Sequence, residues 1–539
     1  VPKRQPKLNT SAWATQCFTK KTINSMSSKT SYPNGYINER IYKSNKKLEK
    51  LLAQAPVGYK GEFEPLLEDL QANVLKSHRR HYSGSLFLHF HNAQAALAWM
   101  ERLPITSAKA QFDEQNQASP ITCFYLSYKG YVALGLKHIC PYVGNHPAFT
   151  EDIEDRIRMK LDSEEKDPNL HPRNGSSPQG IHAMLFVAHN DAAALENILA
   201  AYKAELGGVA YTSLQKGLMK YNDQNKVVEW FGFRDGLSQP QYFPDAAANK
   251  KNVVQKSSLT PLNSALIYDR GGDSLFSTGS FLAFLKLEQD VVAFNGMVDA
   301  VATAAGTTDK ELAAAYILGR FRNGDPVTLH GKANAYAQSH PTNDFDYNSY
   351  VKANNGNRTE YLHDENGSRC PMHAHIRKAN PRLEGQENNM QIVRRGILYD
   401  DRIGIKKSTQ WQPDDAPSTG AGMLFMSFQS SLDKQFEYVM NQWIFNANNG
   451  RATTVSGVDM LVGAKDGINP DRWYVPTKWN SSNPNDKALV ELKQGCIRLK
   501  GGAYFFAPSL SFLKRVSSKA MVLNLNLGTY LLRGSGTKP

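Results

Sequence analysis

The sequence predicts an α+β protein made of two antiparallel sheets, each carrying helices on one face. Three observations lead there. Short strand-like runs, alternating or continuously apolar, are followed by segments of helical period. That strand–helix rhythm runs through the first half of the chain and returns in the second. Finally, 539 residues, 41% of them hydrophobic, suggest roughly three or four domain-sized units, or two large ones with insertions.

Residues 1–57 are polar and rich in Lys, Ser and Asn, and read as a basic, loosely ordered extension ending at Pro56-Val57-Gly58. The first sandwich is expected over 58–240. Leu66–Val74 is helical in pattern. Gly84–Phe90 alternates as a strand, and the helix Ala93–Leu103 follows it. Ile121–Leu126 is a second strand, with a helix near Lys129–Leu136. Ile181–Ala188 is a third, followed by the helix Ala192–Leu206. Strands and helices in this order, with the helices on one face, describe a ferredoxin-like sandwich.

The second sandwich is expected over 241–530. Its elements are the strand Gly279–Leu287, the helices Val291–Ala305 and Asp309–Leu318, the strand Ala421–Gln429 and the helix Leu432–Trp443. A late strand, Tyr504–Ala507, and a short helix, Ser509–Arg515, complete it. The two halves share this rhythm but no sequence repeat. Between Gly324 and Gly396 the chain is rich in Asn, His, Asp and Pro, and reads as a long loop region that delivers His375. Residues 531–539 read as a tail.

The net charge is +13, which can attract nucleic acid, anionic lipid or acidic small molecules. Much of it is local to the first fifty residues, and no groove-reading motif accompanies it. No run approaches the roughly 18 apolar residues of a membrane span. Neither nucleic acid nor a membrane is expected as a partner, and self-association is left open. Five cysteines, without CxxC or CxxCH spacing, argue against a disulfide scaffold, a zinc site and covalent haem. The chain opens on Val1, so a preceding signal or transit segment is an expectation. Asn9, Asn174, Asn357, Asn366 and Asn480 stand in glycosylation sequons. The compartment stays open.

Three segments carry chemistry. In CPMHAHIRKANPR (Cys370–Arg382), an imidazole stands beside Arg377, Lys378 and Arg382. A histidine can ligate haem iron, and guanidinium groups can hold haem propionates as charge-assisted pairs. In Trp230–Pro240, Gly232 and Gly236 bracket Asp235, permitting a tight turn and close backbone approach. In VRRGILY (Val393–Tyr399) an arginine fixed in a pocket can stabilise negative charge developing on oxygen.

Together these segments resemble the dye-decolorizing peroxidases. GFRDG (Gly232–Gly236) looks like that family's GxxDG motif, CPMHAHIRK like its proximal-histidine segment, and RRGILY like its distal-arginine segment. DLQANVLKSHRR (Asp69–Arg80), GSFLAFLKLEQDV (Gly279–Val291), GRFRNGDPV (Gly319–Val327), GMLFMSFQSSL (Gly422–Leu432) and KGGAYFFAPS (Lys500–Ser509) agree in order. The resemblance spans roughly residues 64–515, and the wide spacing of Asp235 from His375 is similar to the family's larger members.

The resemblance implies two ferredoxin-like domains with one b-type haem between them. It implies His375 as the iron ligand, with His373 as the competing histidine, and Asp235 as the distal acid–base residue. Arg394 would be the distal arginine, with Arg395 the alternative. Met423 and Phe425, two apart on one strand face, look like distal-pocket lining. Asp459, in GVDMLVG, resembles the carboxylate that accepts the ligand's other ring N–H, although Met460 replaces the family's proline. Arg320, Arg377 and Arg382 are the propionate candidates. Ala503 stands where the family commonly has Glu. The implied activity is reduction of hydrogen peroxide through a ferryl intermediate, with oxidation of phenolic or anthraquinone-type donors, best at acidic pH. Trp411, Trp443, Trp473 and Tyr399 are candidate electron relays. The competing readings are a non-enzymatic haem carrier on the same fold and a basic binding module.

Overall fold

The computed structural model describes residues 46–520, except 55, 57, 115–117, 142–146, 160–165, 171–179, 244–258, 336–341, 344, 348–349, 353–357, 362–363, 383–389, 406, 449–456, 464–472 and 493. Residues 1–45, the tail 531–539 and the sequons at Asn9, Asn174 and Asn357 lie outside the described residues. At 46–52 the chain departs from the expected loose arm. It forms a helix whose Leu48, Leu51 and Leu52 are buried, because apolar residues three and four apart share one helix face.

The first half builds strands β1 (Tyr82–Phe90), β2 (Ile121–Leu126), β3 (Ala183–His189) and β4 (Ala210–Leu218), with helices α1 (Ala93–Glu101) and α2 (Ala192–Leu206). The second builds β5 (Thr278–Gln289), α3 (Val291–Ala305), α4 (Lys310–Leu318), α5 (His375–Ala379), β6 (Val393–Arg394), β7 (Ile397–Asp400), β8 (Ala421–Gln429) and β9 (Ile497–Ala507). Two π-helical stretches, Leu432–Phe436 and Val439–Ile444, stand between β8 and β9. The long helices start where the sequence offers short polar acceptors. Asp191 caps α2 by accepting from Ala194 N at 2.8 Å, and Asp290 caps α3 by accepting from Ala293 N at 2.8 Å. Each such cap stabilises by about 1 kcal/mol. Helices α3 and α4 end on Gly306 and Gly319, both at positive φ, where glycine escapes the Cβ clash.

Both halves are ferredoxin-like and pair their strands in the same spatial sequence: β4-β1-β3-β2 in the first, β7-β8-β5-β9 in the second. Single pairings, Leu126 with Phe506 and Leu218 with Leu398, join the halves at their two edges. Eight strands thereby close into a ring, which pairs both edges of each sheet and leaves them unable to recruit another chain. Phe87, Phe186, Phe284, Leu424, Met426 and Phe505 pack inside it, with the Phe87 and Phe284 rings 5.3 Å apart edge to face. One seam is further tied by buried Lys286 on β5, whose ammonium reaches Asp167 and, at 2.6 Å each, Gln215 and Asp401.

The outer face of the first sheet is sealed by helices. A Cβ on Gly84 would meet Leu199 of α2 at 2.5 Å, so this glycine sets how closely helix and strand approach. The outer face of the second sheet is only partly covered. On β8, Leu424 and Met426 face the ring interior, while Met423 and Phe425 face outward beside Leu287 and Leu285 of β5. Those outward side chains floor a cavity.

Candidate active site

The cavity measures about 400 Å³, within the ~300–1,000 Å³ range of cofactor and small-molecule sites. Apart from Met159, its walls come from residues 229–497. His375, Asp235, Arg394, Arg320, Arg382, Met423 and Phe425 all line it.

His375 opens α5. On that helix His375, Ile376 and Ala379 line the cavity, while Arg377 on the opposite face and Lys378 do not, and both are buried. The His375 Nδ1–H donates to Asp459 Oδ2 at 2.7 Å. Asp459 is fully buried, and its Oδ1 accepts from Leu461 N and Val462 N, each at 2.9 Å. A carboxylate so anchored keeps the proton on Nδ1, which leaves the Nε2 lone pair as the imidazole's ligand to the cavity. His373 does not line the cavity. It is buried, and burial pushes its imidazole down to about 3.

Arg377 departs from its expected place among the propionate candidates. Its guanidinium donates to the Asp364 carboxylate at 2.7 Å and to the carbonyls of Asp364 and Cys370 at 2.6 Å, and it lies 4.2 Å from the centre of the Tyr347 ring. Helix phase is the reason: Arg377 stands about 200° around the axis from His375. Breaking a buried pair from one side costs roughly 3–5 kcal/mol. Arg377→Ala is therefore expected to lower stability in urea unfolding, while the folded fraction keeps its cofactor stoichiometry.

Arg320 and Arg382 meet at another part of the wall. Arg382, at φ +54°, donates to Asn343 O at 2.9 Å and Phe345 O at 2.5 Å, and sits 3.9 Å from the centre of the Phe345 ring. Arg320 lies 5.5 Å from the same ring and donates to Gly324 O, Thr342 O and the Asn343 side chain. Burial, then the Arg382 charge, lower Arg320 to about 9. Both line the cavity, and two cations in one wall favour an anionic ligand.

Across the cavity, the turn after β4 presents Asp235. Gly232, at φ +88°, leaves room for Trp411, whose ring a Cβ would meet at 2.7 Å. Phe231 stacks on Phe294 of α3 at 4.2 Å. Asp235 Oδ1 accepts from Gly236 N at 2.6 Å and lies 3.7 Å from Arg394 Nη1. Arg394 is fixed at Ser238 O by its Nη2 (2.9 Å), and its backbone N–H donates to Gln239 Oε1 (3.0 Å). Arg395 points the other way, as neighbours on an extended chain do. Its guanidinium donates to Asn73 O, Val74 O and Arg394 O, and burial lowers it to about 10.

Sequence reasoning missed Glu229, Ser238, Gln239 and Asn343, all of which line the cavity. Glu229, Ser238 and Gln239 adjoin the Gly-Asp-Gly turn, and that proximity was the available signal. Of the relay candidates, Trp443 lines the cavity. Trp473 and Tyr399 are buried, and Trp411 donates to Trp230 O at 3.2 Å. Among the described residues no helix is long and apolar enough to cross a membrane.

A flat apolar group bearing two carboxylates and needing a nitrogen ligand would fit this lining. Leu285, Leu287, Met423 and Phe425 offer apolar walls, His375 an imidazole nitrogen, and Arg320 with Arg382 two cations.

Comparison with known proteins points the same way. Residues 229–455 match the C-terminal domain of Dyp-type peroxidases. A multifunctional dye peroxidase of Amycolatopsis sp. is 29% identical over 483 residues, which cover 84% of this chain and 96% of that protein. The crystal structure of a DyP-type peroxidase of Anabaena sp. superposes with a TM-score of 0.73 at 30% identity, over 86% of this chain and 99% of that one. A fungal DyP-type peroxidase of Auricularia auricula-judae shares the fold, with a TM-score of 0.65 at 20% identity over 84% and 99% of the two chains.

Proposed function

The chain belongs to the DyP-type peroxidases, haem enzymes that act on hydrogen peroxide, and on that premise we propose how its own residues do so. One b-type haem per chain is held by His375. The enzyme oxidises phenolic and anthraquinone-type donors and works best at acidic pH. What carries the reading is the convergence of His375, Asp235 and Arg394 on one cavity.

Bound there, haem supplies an open coordination position for peroxide and a store for the electrons exchanged with it. His375 would hold the group through its Nε2, with Asp459 keeping that imidazole in the required tautomer and orientation. Arg320 and Arg382 receive the propionates as charge-assisted pairs. Met423 and Phe425 keep water from the distal side. Asp235 takes a proton from one peroxide oxygen and delivers it to the other, so that water leaves rather than hydroxide. Arg394 faces the charge that develops as the O–O bond lengthens. A carboxylate suits this work in acid. Carboxylic acids ionise near about 4, so a carboxylate still accepts a proton at pH values where an imidazole, near about 6.5, is already protonated.

The test is the visible spectrum of the haem-loaded protein before and after one equivalent of peroxide at acidic pH. A Soret band that shifts, and returns after two equivalents of a phenolic donor, is the expected result. A band that only bleaches would indicate haem carriage instead.

A further inference from the structure

Glu229 begins the turn that presents Asp235, and its carboxylate holds that turn closed. Oε1 accepts from Phe233 N at 2.9 Å. Oε2 accepts from Phe231 N at 2.9 Å and from Gln289 Nε2 at 2.6 Å. Glu229 and Asp235 both line the large cavity, and both also line a second, separate one of about 20 Å³. Lys220, Val228, Leu398 and Met423 help to enclose it. A water needs ~10–15 Å³ and two to four polar partners, and Glu229, Asp235 and Lys220 stand in its wall. Both residues thus border one chamber with room for a single water.

We propose that Glu229 is the proton store of Asp235, exchanging with it through a water in this small chamber. The inference rests on the reading of Asp235 as the acid–base group. The stoichiometry asks for such a store. The overall reaction is H2O2 + 2 AH → 2 H2O + 2 A•. Forming the first water uses both of peroxide's own protons, one of them carried between the oxygens by Asp235. The second water needs two further protons, matched by those that the two donors release as they lose electrons. Asp235 carries one proton at a time, and Glu229 holds the next.

The surroundings of Glu229 suit a group that changes charge in use. Burial pushes its carboxyl up to about 7, the Asp235 charge adds to that rise, and the three N–H donors oppose it. The other titratable or charged groups near it are few. Lys220 shares the small chamber, its ammonium directed to Ser408 O at 3.2 Å and over the Trp230 ring at 4.4 Å. Arg322 packs on the turn through Phe231 O at 2.9 Å, Arg234 lines the large cavity, and the Cys496 thiol feels the Glu229 charge. Helix α3 meets this turn through the Phe294 ring.

The experiment is an infrared pH titration of the resting haem-loaded protein, with the pH profile of donor-driven reduction followed by stopped flow. Wild type should show the carbonyl stretch of a protonated carboxyl that vanishes as pH rises through about 7, and Glu229→Gln should lack it. The same variant should lose the alkaline limb of the profile and slow the reduction on the order of 10-fold, the lower end of outer-shell losses at metal sites. Gln289→Leu removes one donor that favours the ionised form, so the infrared midpoint should move up. An absent band, a midpoint unmoved by Gln289→Leu, or an unchanged profile in Glu229→Gln overturns the inference. Full turnover by Asp235→Asn would instead overturn the reading on which it rests.

Discussion

Asp235→Asn is expected to slow the reaction with peroxide by roughly 10²–10⁴-fold, the range that a positioned acid–base group contributes, while leaving haem content unchanged. The substitution is nearly isosteric. An asparagine oxygen can still accept from Gly236 N, as Asp235 Oδ1 does at 2.6 Å, so the turn should hold its shape. What it removes is the proton acceptor. Arg394 remains, fixed at Ser238 O and, through its backbone, at Gln239, and can still face developing negative charge. The variant should therefore bind peroxide but break it slowly. Stopped-flow mixing at acidic pH reads this directly. A rate within twofold of wild type would remove Asp235 from the mechanism. The 3.7 Å separation from Arg394 Nη1 leads to a companion expectation. Arg394→Leu should also lose rate, but the double variant should lose less than the product of the two single effects, since groups acting on one transition state are not additive.

How the site is assembled explains which parts of it were legible beforehand. Asp235, His375, Arg394 and Asp459 stood out because each sits in a short segment with its own chemistry and a family resemblance. The meeting of Asp235, His375 and Arg394 in one cavity, with Asp459 buried behind His375, depends on the closed strand ring, which no local periodicity encodes. Strand β4 escaped notice because AYTSLQKGL lacks clean alternation, its exposure running irregularly along the strand. Strand β7 was read only as part of the arginine motif. Both missed strands meet at one seam, Leu218 against Leu398, where a single pairing leaves little to mark either sequence. The misplacing of Arg377 has a different cause. The Asn-, His-, Asp- and Pro-rich composition of 324–396 predicts a loop at 375–379, and in a loop three neighbouring cations can all reach one ligand. In a helix they cannot, and one turn of α5 sends Arg377 to Asp364 and leaves Arg382, beyond the helix end, at the cavity. Leu48, Leu51 and Leu52 were legible and overlooked, because the high lysine content of their surroundings masked a helical spacing.

His375→Gly should abolish stable haem retention, whereas His373→Ala should retain haem and lose stability instead. The two histidines are two residues apart, and composition cannot rank them. Their surroundings can. The His375 ring borders the cavity with its Nδ1–H held by a buried, doubly anchored carboxylate, an arrangement that orients a metal ligand and raises its basicity. His373 is enclosed beside the Asp459 segment, its carbonyl accepting from Met460 N at 3.2 Å, and burial keeps it neutral far below physiological pH. Removing it is a large-to-small core change, costing roughly 2–5 kcal/mol. Removing His375 should cost more in haem affinity than the ~10–100-fold typical of outer-shell changes, and Asp459→Asn should fall within that range. The decisive measurement is haem stoichiometry by absorbance after gel filtration, repeated with free imidazole in the buffer. Imidazole should enter the space vacated in His375→Gly and restore a Soret band, since the cavity and its arginines are left intact. Haem lost from His373→Ala but kept by His375→Gly would reverse the assignment. If both variants kept haem, neither imidazole would be its anchor.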